Sequence, residues 1–135
     1  RRDKIEICDV LVSNQSDQRY LIHNKCFTGS HSLNHLFAQG NTSARLLTNS
    51  SFRERVNRAI SCADLHFAED SSYVSRNHTV VFGIIGANVS GQTIRMPLFS
   101  MISLQVYYQS LSSMSYPVAF AIIPDTTKSF KKNVP

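Results

Sequence analysis

Tyr20-Leu21-Ile22-His23-Asn24-Lys25 reads as a β-strand with two unlike faces. Side chains at i and i+2 share one face of a strand. Leu21, His23 and Lys25 therefore look one way, and Ile22, Asn24 and Cys26 the other. Upstream, Ile5-Glu6-Ile7-Cys8-Asp9-Val10-Leu11-Val12 has the composition of a partner strand, with Asp9 on the face that carries Ile5, Ile7 and Leu11. The polar residues 13–18 between them suit a hairpin. Downstream, Thr79-Val80-Val81-Phe82-Gly83-Ile84-Ile85-Gly86 is an unbroken apolar run, as expected of a central strand covered on both faces. Val118-Ala119-Phe120-Ala121-Ile122-Ile123 makes a last apolar strand.

Helical spacing fills the gaps. Ser32 can cap a short helix with Leu33, Leu36 and Phe37 on one stripe, ended by Gly40 and Asn41, and residues 44–47 form a second piece. Ser51-Phe52-Arg53-Glu54 has the capping-box form. The helix it opens turns Val56, Ala59, Ile60 and Ala63 inward and Arg53, Arg55 and Arg58 outward. Residues 68–77 read as a polar loop and 88–91 as a turn. Pro97 and Ser100 precede a helix that buries Leu104, Tyr107, Tyr108 and Leu111, and Pro117 stops it. The order strand, strand, helix, helix, strand, helix, strand is that of an α/β fold with a mixed four-stranded sheet and flanking helices. Its last strand–helix–strand unit is expected to cross over right-handed. Residues 1–124 form one domain in this reading, and residues 125–135 a frayed basic tail.

Composition sets limits on function. No apolar run reaches the length needed to span a bilayer, and no secretory leader is evident, so a cytoplasmic protein without membrane contact is expected. The first residue is Arg1, which points to a piece of a longer parent protein. The net charge of +5 falls partly in the tail, where Lys128, Lys131 and Lys132 outnumber Asp125. The charge that remains permits a nucleic-acid partner without requiring one. Cys8, Cys26 and Cys62 are widely spaced and odd in number, which speaks against a zinc knuckle or redox motif and fits free thiols in a reducing compartment. Asn14, Asn41, Asn49, Asn77 and Asn88 each open an Asn-x-Ser/Thr triplet, a pattern that a Ser/Thr-rich chain produces by composition.

A carboxylate on one strand beside a His-x-Lys on the next outlines a metal-dependent phosphodiesterase site. Such chemistry needs hard oxygen ligands for the ion, and a cation or acid–base group near the water or leaving group. Asp9 would hold Mg²⁺ or Mn²⁺, Lys25 would position water and phosphate, and His23 would act as base or auxiliary ligand. Usual versions of this arrangement place an acid where His23 stands. The competing reading is a solvated or ion-paired patch on an edge hairpin. His31 and His35, four apart on one helix, have zinc-like spacing but need further ligands. Gln39, Arg45, Arg53 and Arg58 could reach a base or a phosphate backbone, though solvated helix faces look the same. Phosphate-loop, nucleophile-elbow and dinucleotide fingerprints are absent from the sequence.

The runs Glu6-Ile7-Cys8-Asp9-Val10-Leu11, Ile22-His23-Asn24-Lys25 and Ser30-His31-Ser32-Leu33-Asn34-His35-Leu36-Phe37-Ala38-Gln39-Gly40, with Ser43-Ala44 and Met96-Pro97-Leu98-Phe99-Ser100, resemble the sporadically distributed bacterial protein family. That group carries a domain of unknown function and occurs on plasmids and genomic islands. The resemblance covers most of residues 5–123 and carries over Asp9, His23, Lys25, His35 and Gln39. His31 lies outside the pattern, and Asn34 stands where the family usually has Ser. It implies a mobile-element or phage-defence setting and a C-terminal position in a longer chain. The strand order also resembles the PD-(D/E)xK nuclease superfamily, with His23-Asn24-Lys25 in place of Glu-x-Lys, an analogy at the level of fold. Together these lead to the expectation of a divalent-metal nuclease acting on DNA more than RNA, with His35 and Gln39 lining the same cleft as Asp9. The alternatives are a nucleic-acid-binding module without catalysis, or a structural or homo-oligomerising domain.

Overall fold

The computed structural model describes residues 6–86, 89–90 and 93–125. Strand β1 (Val10–Ser13) and β2 (Arg19–Cys26) form an antiparallel hairpin with Leu11 opposite Leu21. The Asn14 side chain organises its turn by accepting from Ser16 N–H and Gln18 N–H, and Asp17 takes a left-handed φ of 61°. Helices α1 (Ser30–Leu47) and α2 (Ser50–Ala59) follow, then β3 (His78–Ile85). A small ribbon of β4 (Val89–Ser90) and β5 (Thr93–Ile94) leads into α3 (Leu98–Ser113), and β6 (Val118–Ile123) closes the sheet. The sheet order is β1-β2-β3-β6, with β3 parallel to both β2 and β6. The mixed four-stranded sheet read from the sequence is therefore present, with β2 and β6 at their expected limits.

The first strand is shorter than expected. Asp9 N–H bonds Ile22 O at 2.9 Å, although Val10 already stands opposite Ile22, so the chain is one residue out of register at Asp9. A slip of this kind ends regular pairing. Asp9 is exposed, and residues 6–8 leave the sheet while Ile7 and Cys8 pack on the edge of the core.

Gly40 does not end a helix but lies in the middle of α1. A Cβ there would come within 2.5 Å of a Phe82 ring carbon and 3.2 Å of Val80, so the missing side chain is what lets the helix lie against β3. Phe37 meets Phe82 edge-on at 5.1 Å, and both rings contact Phe120. These rings, with Leu21, Leu33, Leu36, Val80, Ile84 and Leu111, form the core between the helices and one face of the sheet. Burying each large aliphatic or aromatic side chain contributes about 1.5–3 kcal/mol.

The opposite face of the sheet, with Ile22, Val81, Ile85, Ala121 and Ile123, carries no packed helix among the described residues. β3 is the central strand expected, and it is buried along most of its length, Val81 and Gly83 included. Its neighbours β2 and β6 shield Val81 from the sides.

The helix boundaries hold two further corrections. Asn49 caps α2, accepting from Ser51 N–H and Phe52 N–H; Ser51 lies inside the helix, and Ala59 is exposed. Pro97 caps α3, so Ser100 sits fully buried inside it, while Tyr108 points outward at 51% exposure. Asn88 and the tail beyond Asp125 lie outside the described residues.

Candidate functional site

On β2, Leu21 and His23 face α1 and are buried, and Lys25 follows on the same face, half-buried. His23 lies beside Phe82 at 6.4 Å, and its Nε2 has no protein hydrogen-bond partner among the described residues. Burial lowers its pKa and the nearby Asp9 carboxylate raises it, with a net result below the ordinary 6.5. The imidazole is therefore neutral at pH 7. Asp9 and His23 are thus electrostatic neighbours across the hairpin.

The Asp9 carboxylate already has a partner, since its Oδ2 accepts from Asn24 N–H at 2.6 Å. It stands where a backbone carbonyl would otherwise continue the ladder. Beside it, burial first and Asp9 second push the Cys8 thiol up to about 11, which makes this cysteine an inert hydrophobe near neutral pH. Arg58 and Glu54 form an ion pair, whereas Lys25 and Asp9 are not within 4.0 Å of each other.

The expected site residues do not gather in one cleft. Asp9 borders a largely apolar cavity of about 320 Å³ with Ile7, Cys8, Leu11, Ile60 and Leu65. His35 and Gln39 border a separate one of about 270 Å³, floored by Ala38 and Leu46 and walled by Glu6, Thr42 and Ser43. His23 and Lys25 line neither. The second cavity adds Glu6, Thr42 and Ser43 to the expected His35 and Gln39. His35, Gln39 and Thr42 are spaced i, i+4, i+7, one stripe of α1. The chain before β1 folds back over that stripe, placing Glu6 O at 3.4 Å from Ser43 Oγ. The helical spacing was visible in the sequence, whereas the return of Glu6 depends on the register slip at Asp9.

Among the arginines, Arg53 overturns its expected outward position. It is 4% exposed; its Nε donates to Ala68 O, Nη1 to Leu47 O, and Nη2 to Glu69 O and Asp70 O. The guanidinium also lies 4.2 Å from the centre of the Tyr73 ring. It holds the loop after α2 and is withdrawn from any phosphate. Arg58 is exposed and only loosely paired with Glu54 at 4.0 Å, and exposed Arg45 bonds Ser110 Oγ at 3.1 Å.

The donor set does not fit a resident divalent ion. Among the described residues no three His, Cys, Asp or Glu side chains come together in a way that could hold a metal. Asp9 offers a single carboxylate, His23 is sealed into the core, and His31 and His35 lack a third ligand. His66 and His78 each donate a ring N–H to a carbonyl, of Ile60 and Val74 respectively. Mg²⁺ and Mn²⁺ call for several hard oxygens.

No helix among the described residues is long and apolar enough to cross a membrane. No curated protein and no solved structure is significantly similar to the chain. The profile of one family does match, and it spans residues 1–124. The runs around Asp9, His23-Asn24-Lys25 and His35–Gln39 all fall inside that span, and the chain belongs to the family of unknown function DUF6119.

Proposed function

We propose that this domain binds single-stranded nucleic acid without catalysing its cleavage. The observation that carries the reading is the cavity along α1. Gln39 offers both a donor and an acceptor, Glu6 accepts from an exocyclic amine, and His35 supplies a flat ring above the apolar floor of Ala38 and Leu46. Splayed bases are recognised by hydrogen bonds to their edges together with stacking on flat side chains. Lys25, with no acidic partner within ion-pair distance among the described residues, and the exposed Arg45 and Arg58 would contact phosphates.

The test is fluorescence anisotropy with short single- and double-stranded DNA and RNA at low and moderate salt. Binding should prefer single strands and weaken steeply with salt. Gln39→Ala and His35→Ala should each weaken binding about tenfold, equivalent to about 1.4 kcal/mol, within the range for loss of one base contact. Lys25→Ala should weaken all sequences alike and flatten the salt slope. Binding that ignores Gln39→Ala and His35→Ala, or no binding at low salt, would sink the reading.

A metal-dependent nuclease is the second reading, favoured by one observation, that the Asp9 charge reaches His23 across the hairpin. Incubating the same oligonucleotides with Mg²⁺ or Mn²⁺ distinguishes it. Cleavage abolished by Asp9→Ala and Lys25→Ala would favour the nuclease over the binding module.

A further inference from the structure

The edge of the sheet farthest from Asp9 is built from a stretch with no charged residue of its own, although Arg45 of α1 reaches Ser110 at its flank. No Asp, Glu, Lys, Arg or His occurs between Met96 and Pro124, a stretch that includes all of α3 and β6. β6 pairs with β3 on one side and has no second neighbour among the described residues. Pro117 O accepts from Val80 N–H and Ile123 O from Gly86 N–H. By strand alternation the N–H and C=O groups of Val118, Phe120 and Ile122 point away from the sheet. An apolar, uncharged edge of this kind is a template for another strand, and proteins usually blunt such edges with lysine, proline or a bulge. None of these interrupts β6. Next to it, α3 buries Leu111 and Ser100 and leaves Leu98, Phe99, Met101, Ile102, Val106 and Tyr108 between 48% and 72% exposed.

We propose that β6 and α3 form the interface of a two-fold symmetric dimer with a second copy of this chain. Three features favour a second copy over another partner. An antiparallel strand pair is self-complementary, as a two-fold interface requires. A two-fold axis perpendicular to the sheet, lying just outside the β6 edge beside Phe120, sets Phe120 opposite Phe120 of the partner subunit and joins the two sheets into one of eight strands. The same rotation puts the two α3 helices side by side on one face, so one operation covers both the free edge and the exposed helix. Finally, a neutral patch brings no like charges together across the axis.

The area is sufficient as well. Six large side chains at this exposure present on the order of 100 Å² each. With the strand edge added, the patch approaches the roughly 800 Å² per partner of a stable interface.

Sedimentation velocity across a concentration series tests this, with amide hydrogen exchange as a second readout. The expected result is a dimer, with slow exchange of the Phe120 N–H, which points outward in a lone chain. The double substitution Met101→Glu and Ile102→Glu, at positions already exposed, should leave circular dichroism unchanged and give monomers that exchange this N–H at least tenfold faster. A monomer at all concentrations would overturn the proposal and leave the face to a different protein. A dimer that survives the double substitution with Phe120 N–H unprotected would overturn it too. Nucleic-acid binding through the α1 cavity is a separate measurement, so either result can fail without the other.

Discussion

Two of the places where this molecule buries polar groups do so with opposite thoroughness. Where α2 meets the loop before β3, Arg53 gives hydrogen bonds to four carbonyls, three of them in that loop and one, Leu47 O, at the end of α1. Asn57 there accepts from Phe67 N–H and donates to Phe67 O and Glu69 Oε1. Tyr73 donates to Tyr116, which donates to Ala44 O on α1. At the β1–β2 hairpin, by contrast, His23 Nε2 and Asn24 Oδ1 are buried without a protein partner among the described residues. A buried charge or amide with every bond made is cement. A buried group with a bond missing carries a desolvation cost of about 1–3 kcal/mol. The contrast predicts where substitutions will destroy the fold and where they will change chemistry instead.

The largest effect should come from Arg53. Arg53→Ala strands four carbonyls and removes the cation from the Tyr73 face, and should cost about 4 kcal/mol or more in urea denaturation, a large part of a domain's stability. Arg53→Lys should rescue little, because an ammonium cannot reproduce the planar fork that reaches carbonyls on both sides. Asn57→Ala should follow at about 2–3 kcal/mol, since Phe67 N–H and O are both left unpaired. If Arg53→Ala costs under about 1 kcal/mol, a comparison based on satisfied bonds has no force.

Gly40→Ala is intermediate and tests the seam between helix and sheet. Alanine gains about 1 kcal/mol in helix propensity, yet its methyl would press on Phe82 and Val80. Overpacking of this kind costs about 1–3 kcal/mol, so a net loss of about 1 kcal/mol is expected in thermal or urea unfolding. A net gain would mean that the Phe82 ring moves aside freely.

These cases also explain what could be read from the sequence. β2, β3 and β6 were legible because each is a dense apolar run whose limits coincide with polar or Pro residues, such as Pro117 before Val118. The helix stop at Gly40 was misread because glycine signals a break when only local conformation is considered. Here it answers a contact with Phe82, 42 positions away in sequence. Arg53 was misread for a similar reason: helical spacing cannot reveal that a loop 15 residues later brings three carbonyls to one guanidinium. Of the candidate site, the proximity of Asp9 and His23 was legible from strand alternation. That His35 and Gln39 would face Glu6 rather than Asp9 was not, because it depends on the chain leaving the sheet one residue early.

The unsatisfied hairpin should reveal itself through pH. Burial holds the folded-state pKa of His23 below 6.5, and burial also lowers that of His78. Well above pH 6.5 both histidines are neutral whether the chain is folded or not. As pH falls below 6.5 the unfolded chain takes up protons first, so stability declines until the folded pKa values are reached and then levels off. His23→Leu should remove its share of that slope and change stability at pH 7.5 by less than about 1 kcal/mol, since it deletes an unpartnered nitrogen rather than a bond. Urea titrations at pH 7.5 and 5.5 decide this. An unchanged slope in the variant would assign the whole effect to His78.

The smallest effect on stability, and the sharpest on mechanism, belongs to Asp9→Asn. The amide oxygen can still accept from Asn24 N–H, so only the charge is lost and unfolding should move by less than about 1 kcal/mol. The Asp9 charge raises the pKa of both His23 and Cys8, in the first case by favouring the imidazolium and in the second by disfavouring the thiolate. Its removal should therefore shift both downward, His23 as followed by NMR titration and Cys8, from about 11, as followed by thiol alkylation rates. A change in burial would act differently, because deeper burial lowers a histidine and raises a thiol. Two downward shifts would show that Asp9 governs the hairpin through its charge. Shifts in opposite directions would show that the carboxylate acts mainly through packing, and would remove the last electrostatic argument for treating Asp9 and His23 as one site.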